Sequence, residues 1–108
     1  MELYQLTCHE VAAKLAVKEV SAREVLASCF GRIHAVEGDV KAFLRVTREQ
    51  AEAEAAAVDE KRAAGEDLPR LAGVPIGIKD VMCTRGVATT CASKILETFV
   101  PPYDAAVV

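Results

Sequence analysis

The placement of proline most constrains this 108-residue chain: nothing before Pro69 is proline, and all four prolines, Pro69, Pro75, Pro101 and Pro102, follow that point. Proline lacks an amide proton and clashes with the preceding helical turn. The first part of the chain is therefore free to form long helices, and the second reads as turn-rich and extended. The composition changes between Gly65 and Leu71. Three helix starts carry one device, a Thr or Ser followed three residues later by Glu or Gln: Thr7 with Glu10, Ser21 with Glu24, and Thr47 with Gln50. In such a pair each side chain satisfies the free amide of the other residue.

From Ser21 onward, Ala22, Val25, Leu26, Cys29, Ile33 and Val36 recur at helical spacing and make one core-facing stripe, with Gly38 as its stop. The segment Val40 to Val46, VKAFLRV, is short, partly alternating and richer in β-formers, and reads as a strand. A third helix is predicted from Thr47 to Ala64, closed by Gly65, with alanines on its inner face. Between Thr47 and Asp67 stand seven acidic and three basic residues, a pattern that reads as a solvated helix face. After Pro69 the chain ends on Ala105-Ala106-Val107-Val108, which reads as the start of a buried strand that continues beyond this sequence.

Composition narrows the function classes. Thirteen basic against sixteen acidic residues give a net charge of −3, without the basic excess that grips a phosphate backbone. Direct nucleic-acid binding by this segment is not expected. Cys8, Cys29, Cys83 and Cys91 are too far apart for a CxxC pair, and only His9 and His34 accompany them, so no metal site is expected. Glu2 stands where a signal peptide carries positive charge, and no apolar run approaches the ~18 residues of a membrane span. A cytoplasmic protein with reduced thiols is the resulting expectation.

Lys79 is the one residue whose setting suggests chemistry. It closes the apolar segment Val74-Pro75-Ile76-Gly77-Ile78, where it is expected to be partly desolvated, and burial brings a lysine toward a base usable at neutral pH. The residues alone leave two readings open: a general base, or a structural lysine paired with the adjacent Asp80. A base needs a hydroxyl within reach, and Thr84, Thr89, Thr90 and Ser93 lie downstream without any of them being marked as a nucleophile. Ser93 reads as a residue that bonds nearby backbone. Cys83 and Cys91 read as small packed side chains. His9, just inside a helix start, and His34, near a helix end, read as structural or solvent-facing.

The stretch from Leu71 to Val108, LAGVPIGIKD followed by CTRGVATTCASKILETFVPPYDAAVV, resembles the first conserved block of the amidase signature family. A looser likeness covers the first 70 residues. Within the family, Cys83-Thr84, Thr89-Thr90-Cys91 with Ser93, and Phe99 leading to Pro102-Tyr103-Asp104-Ala105 are most similar to the glutamine-hydrolysing subunits of tRNA-dependent amidotransferases. Ala106 departs from that pattern, which usually has threonine there. The resemblance implies an α/β fold, with amino-terminal helices packed on a mixed sheet whose first strands lie near Val74 to Ile78 and Ala105 to Val108. Residues 1–65 would be the mainly helical part of one amidase domain, and 66–108 the start of the sheet and the first catalytic block.

The resemblance also implies a mechanism in which Lys79, as a neutral amine, is the base for a bridging serine held by a cis peptide bond. That serine deprotonates a nucleophilic serine. Both serines belong to a downstream Gly/Ser-rich segment that is not within these residues, so the segment alone is expected to be inactive. Partners implied are amidotransferase subunits B and C, with glutamine as substrate and tRNA held mainly through the partner. No cofactor is expected in this chain; ATP and Mg would be used by the partner subunit. The alternatives are another amidase of the family acting on small amides, and a non-catalytic module that docks a partner. Nothing in the sequence marks substrate-binding residues.

Overall fold

The computed structural model describes all of residues 1–108, which divide into two compact units, Met1–Pro75 and Ile76–Val108. The first unit holds three helices, α1 (Cys8–Ala16), α2 (Ala22–Val40) and α3 (Arg48–Ala63), preceded by a 3₁₀ turn at Leu3–Gln5.

Two of the three expected capping boxes form. Glu10 N–H donates to Thr7 Oγ1 at 3.3 Å while Thr7 N–H donates to Glu10 Oε2 at 2.8 Å, and Ser21 with Glu24 repeats the arrangement at 3.2 and 2.8 Å. The first turn of α2 leaves no amide unpaired. Ala22 N–H and Arg23 N–H donate to the two carboxylate oxygens of Asp59, in α3, at 2.7 and 3.1 Å. Glu24 N–H goes to Ser21 Oγ and Val25 N–H to the Ser21 carbonyl. A helix start leaves four such donors open, and here local and distant groups share the work. The third box does not form: Thr47, at ψ 63, makes no side-chain cap, and the Gln50 amide reaches forward to Glu54 instead.

The helix ends are closed by left-handed residues. Lys18 (φ 58) follows α1, with Glu19 N–H bonded back to the Lys14 carbonyl at 3.0 Å. Gly65 (φ 78) closes α3 as the sequence predicts, with Glu66 N–H on the Lys61 carbonyl at 3.1 Å. This is the six-to-one closure that satisfies the last free carbonyls. Gly38, by contrast, is no stop. Helix α2 runs through it to Val40 and ends at Lys41, held in the left-handed region at φ 51.

The core is built from Val11 and Leu15 of α1, Ala22, Val25, Leu26 and Phe30 of α2, and Ala55 of α3. Of the expected stripe, Ala22, Val25 and Leu26 are buried and Cys29, Ile33 and Val36 are half-buried, with Phe30 taking a central place beside them. Burial pushes the Cys29 thiol above its usual value. Gly73 sits against this core at φ 94; a Cβ there would lie 3.0 Å from Ala22 Cβ and 3.2 Å from Leu15 Cδ1. The expected inner face of alanines is present in α3, with Ala55 buried and Ala51 half-buried, and the acidic side chains of the helix are mostly exposed.

No strand forms, which corrects the expected first strands of a mixed sheet; an isolated bridge between Thr84 and Val87 is the sole β pairing. The reason differs at each site. Val40 is the last residue of α2, residues 41–46 are exposed, and Phe43 N–H is taken by the Glu37 carboxylate at 2.7 Å. In Val74–Ile78, Val74 N–H turns back to the Leu71 carbonyl at 3.0 Å. Val108 N–H folds onto the Ala105 carbonyl at 2.9 Å, making a turn of Ala105–Val108. Strand-forming residues become a strand only when another segment supplies a ladder, and none lies alongside. No helix is long and apolar enough to cross a membrane.

Candidate active site

Residues Ile76–Val108 contain one regular element, a 3₁₀ turn at Lys94–Leu96, and are held in shape by hydrogen bonds between loops. Gly86 N–H reaches the Pro101 carbonyl at 3.1 Å, Thr89 N–H the Phe99 carbonyl at 3.0 Å, and Ala105 N–H the Cys83 carbonyl at 2.8 Å. The Asp104 carboxylate accepts Arg85 N–H at 2.7 Å. Thr89 and Pro101 are the buried residues on which these loops close.

Lys79 opens the first loop. Its carbonyl accepts Met82 N–H at 3.0 Å, and its side chain is exposed. The expected partial desolvation is absent because the apolar residues before it do not wall it in: Ile76 is 82% exposed and Ile78 44%. Asp80, offered by the sequence as a partner for Lys79, is bonded to Thr90. One carboxylate oxygen takes Thr90 N–H at 2.9 Å, the other takes the Thr90 hydroxyl, and the Asp80 carbonyl takes Cys91 N–H at 3.1 Å.

Those bonds hold a tight turn. Thr90 to Ser93 is closed by Ser93 N–H on the Thr90 carbonyl at 2.8 Å, with Cys91 (φ 51) and Ala92 (φ 56) both left-handed. Two positive φ values in succession define the primed turn that favours Asn-Gly. Placing Cys and Ala there costs roughly 1–2 kcal/mol per residue, which the bonds from Asp80 to Thr90 and Cys91 offset.

The other candidates fall into place around this turn. Ser93 Oγ accepts Ile95 N–H at 3.3 Å and caps the 3₁₀ turn, the backbone role expected of it. The Thr89 hydroxyl goes to the Val87 carbonyl at 3.3 Å. Cys83 is half-buried and its Sγ donates to Tyr103 Oη over 3.7 Å; the nearby thiol pushes the Tyr103 hydroxyl above its usual value. Cys91 is exposed rather than packed, because a left-handed turn residue projects outward. His9 is exposed beside Arg70, and His34 lies on the exposed side of α2, inside the helix rather than near its end because α2 runs on to Val40. Nowhere do three or more His, Cys, Asp or Glu side chains gather in a metal-binding group. Sequence reading missed the Asp80–Thr90 pair, since ten residues of irregular chain carry no periodicity that would join them.

The amidase family model matches residues 24–108, which include the whole of this loop system. The chain belongs to the amidase family. Among curated relatives, the A subunit of the glutamyl-tRNA(Gln) amidotransferase of Moorella thermoacetica is 56% identical over 108 residues, 100% of this chain and 22% of that protein. The protein of the same name from Desulforamulus reducens is 55% identical over 97% of this chain and 22% of its own length. That of Synechococcus sp. WH7803 is 60% identical over 87% of this chain and 19% of its own. A solved structure of a vestigial protein complex, bearing on the evolutionary origins of an s-triazine catabolic enzyme, superposes with a TM-score of 0.86 at 38% identity, over 92% of this chain and 22% of that one. This amidase segment thus spans about a fifth of the length of the relatives it matches.

Proposed function

We propose that this chain is part of the glutamine-hydrolysing A subunit of a cytoplasmic tRNA-dependent amidotransferase, and that Lys79 is its catalytic base. The observation that carries the reading is identity of 55–60% to three relatives of that name across 87–100% of the chain, in a segment that holds the family's lysine loop. The alternative, an amidase for another small amide, is favoured less, since the s-triazine-related structure is only 38% identical.

In this reading neutral Lys79 takes a proton from a bridging serine, which takes one from a nucleophilic serine as its oxygen attacks the carboxamide carbon of glutamine. The carbon–nitrogen bond breaks, the proton returns to the leaving nitrogen, and ammonia departs from a glutamyl-enzyme that water then hydrolyses. Both serines come from sequence outside these 108 residues, and so does the apolar wall that would desolvate the exposed Lys79 amine. The ammonia passes to partner subunits B and C, where ATP and Mg serve to convert Glu-tRNA(Gln) to Gln-tRNA(Gln).

Ammonia release from glutamine by the catalytically complete polypeptide tests this. Lys79→Ala is expected to lose ~10²–10⁴-fold in rate, the effect of removing a positioned base. Lys79→Arg is expected to be as inactive, because a guanidinium keeps the charge but cannot give up its proton in a protein. Appreciable turnover by the arginine variant would show that Lys79 acts through charge alone, and turnover by the isolated 108-residue segment would refute the serine relay.

A further inference from the structure

We infer that Asp80 and Thr90 are positioning residues for Lys79, a role that rests on the lysine-base reading above. Lys79 stands in a loop with no helix or ladder to fix its main chain, and its side chain is exposed. A lysine has a long, flexible stem, so the volume its amine can sweep is limited chiefly by where its Cα sits and which way Cα–Cβ points. A general base must come within about 2.6–3.2 Å of the proton it takes. The backbone at Lys79 therefore has to be fixed by something else.

The geometry supplies it on the carboxyl-terminal side of the lysine. Lys79's own carbonyl is tied to Met82 N–H at 3.0 Å. The next residue, Asp80, makes three bonds to one dipeptide: its carboxylate takes the amide of Thr90 at 2.9 Å and the Thr90 hydroxyl, and its carbonyl takes Cys91 N–H at 3.1 Å. Two of the three are charge-assisted, roughly twice as strong as neutral hydrogen bonds. Thr90 is itself a fixed point. Its carbonyl closes the left-handed turn through Ser93 N–H at 2.8 Å, and its neighbour Thr89 is buried and bonded to the Phe99 carbonyl at 3.0 Å. Asp80 and Thr90 are half-buried while Lys79 is exposed, so the residues that fix the main chain are less open to solvent than the lysine they follow.

The Thr90 hydroxyl is the part of the clamp that can be removed with least disturbance. In the catalytically complete polypeptide, Thr90→Val keeps the shape and the backbone bond but deletes the hydroxyl donor. It is expected to lower kcat for glutamine hydrolysis about tenfold with KM within about twofold of wild type, and Asp80→Ala about a hundredfold, the scale of loss that follows a misplacement near 1 Å. Thr90→Ser restores the hydroxyl and is expected to return kcat to within about twofold of wild type. A residue that merely supported the fold would lower the melting temperature without this split between kcat and KM and without rescue by serine. If Asp80→Ala does not fold, the Val and Ser variants at Thr90 decide the matter between them. The inference fails if Thr90→Val keeps wild-type kcat, if its loss lies in KM, or if Thr90→Ser falls as far as Thr90→Val. Lys79→Ala, assayed alongside, separates the two levels. Full turnover by that variant would remove the lysine reading itself, whereas an inactive lysine variant beside an unimpaired Thr90→Val would remove only the positioning role.

Discussion

The two units of this chain are held together by different physics. Met1–Pro75 is three helices closed over a shared apolar core, and each helix presents one face to it. Ile76–Val108 has almost no regular structure, two buried residues, and a web of hydrogen bonds joining positions 10 to 22 residues apart. In the first unit stability comes from side-chain periodicity, and in the second from specific polar partners. Large apolar residues stand outward in both units, Val17 and Leu44 at 72% each in the first and Ile76 and Ile95 at 82% and 92% in the second, so what separates the units is the shared helical core that only the first one has.

The largest effect should come from the core of the first unit. Leu15 is 1% exposed, and Leu15→Ala is expected to cost about 2–5 kcal/mol through lost burial and the cavity left behind. Ile95→Ala in the second unit is expected to stay within about 0.5 kcal/mol, as is usual for surface substitutions. Urea unfolding followed by helical circular dichroism and by amide exchange would compare them. Equal losses at the two positions would mean that apolar burial sustains both units alike.

How much was legible in the sequence follows the same division. Capping boxes at Thr7 and Ser21, the stripe through Leu26 and the Gly65 closure could be read because each depends on residues within one or two turns. The stripe read from the sequence does not include Phe30, a core residue, although it stands four residues after Leu26. Where a local signal failed, a competing bond explains it: Gln50 reached Glu54, Glu37 captured Phe43 N–H, and Gly38 was carried through by the helix on both sides. In the second unit little was legible beyond the lysine loop itself. The exposure of Lys79 and Cys91 and the bonding of Asp80 to Thr90 are set by chain segments meeting through turns, for which no spacing rule exists.

A smaller effect sharpens the comparison from the other side. Ala92 is left-handed, and Ala92→Gly is expected to stabilise the turn by about 0.5–1 kcal/mol, since glycine adopts that conformation without the Cβ penalty. Slower hydrogen exchange at Ser93 N–H would register the gain. Faster exchange would show that the turn is not strained.

The smallest effect concerns acid. Glu10 and Glu24 titrate below the usual carboxylate value of 4.5, first because the backbone amides of Thr7 and Ser21 donate to them and then because the hydroxyls do. A carboxyl lowered on folding favours the native state above its unfolded pKa, and that contribution is lost as pH falls through the folded value. Helix content in the first unit should therefore decline on acidification below about pH 4.5, and the double variant Glu10→Gln, Glu24→Gln, which removes both titrating groups, should flatten that decline. An unchanged acid profile in the double variant would place the pH sensitivity elsewhere.

Asp59 gives the first unit an order of assembly. The amides of Ala22 and Arg23 find their acceptors on a side chain 37 and 36 residues further along, so the first turn of α2 is completed only after α3 has been synthesised and has docked. Glu24, capped by Ser21 three residues away, has no such wait. Neighbouring amides in one helical turn thus keep different clocks. Ala22 and Arg23 exchange with solvent at the pace at which α3 lifts away, and Glu24 exchanges at the pace at which α2 itself frays.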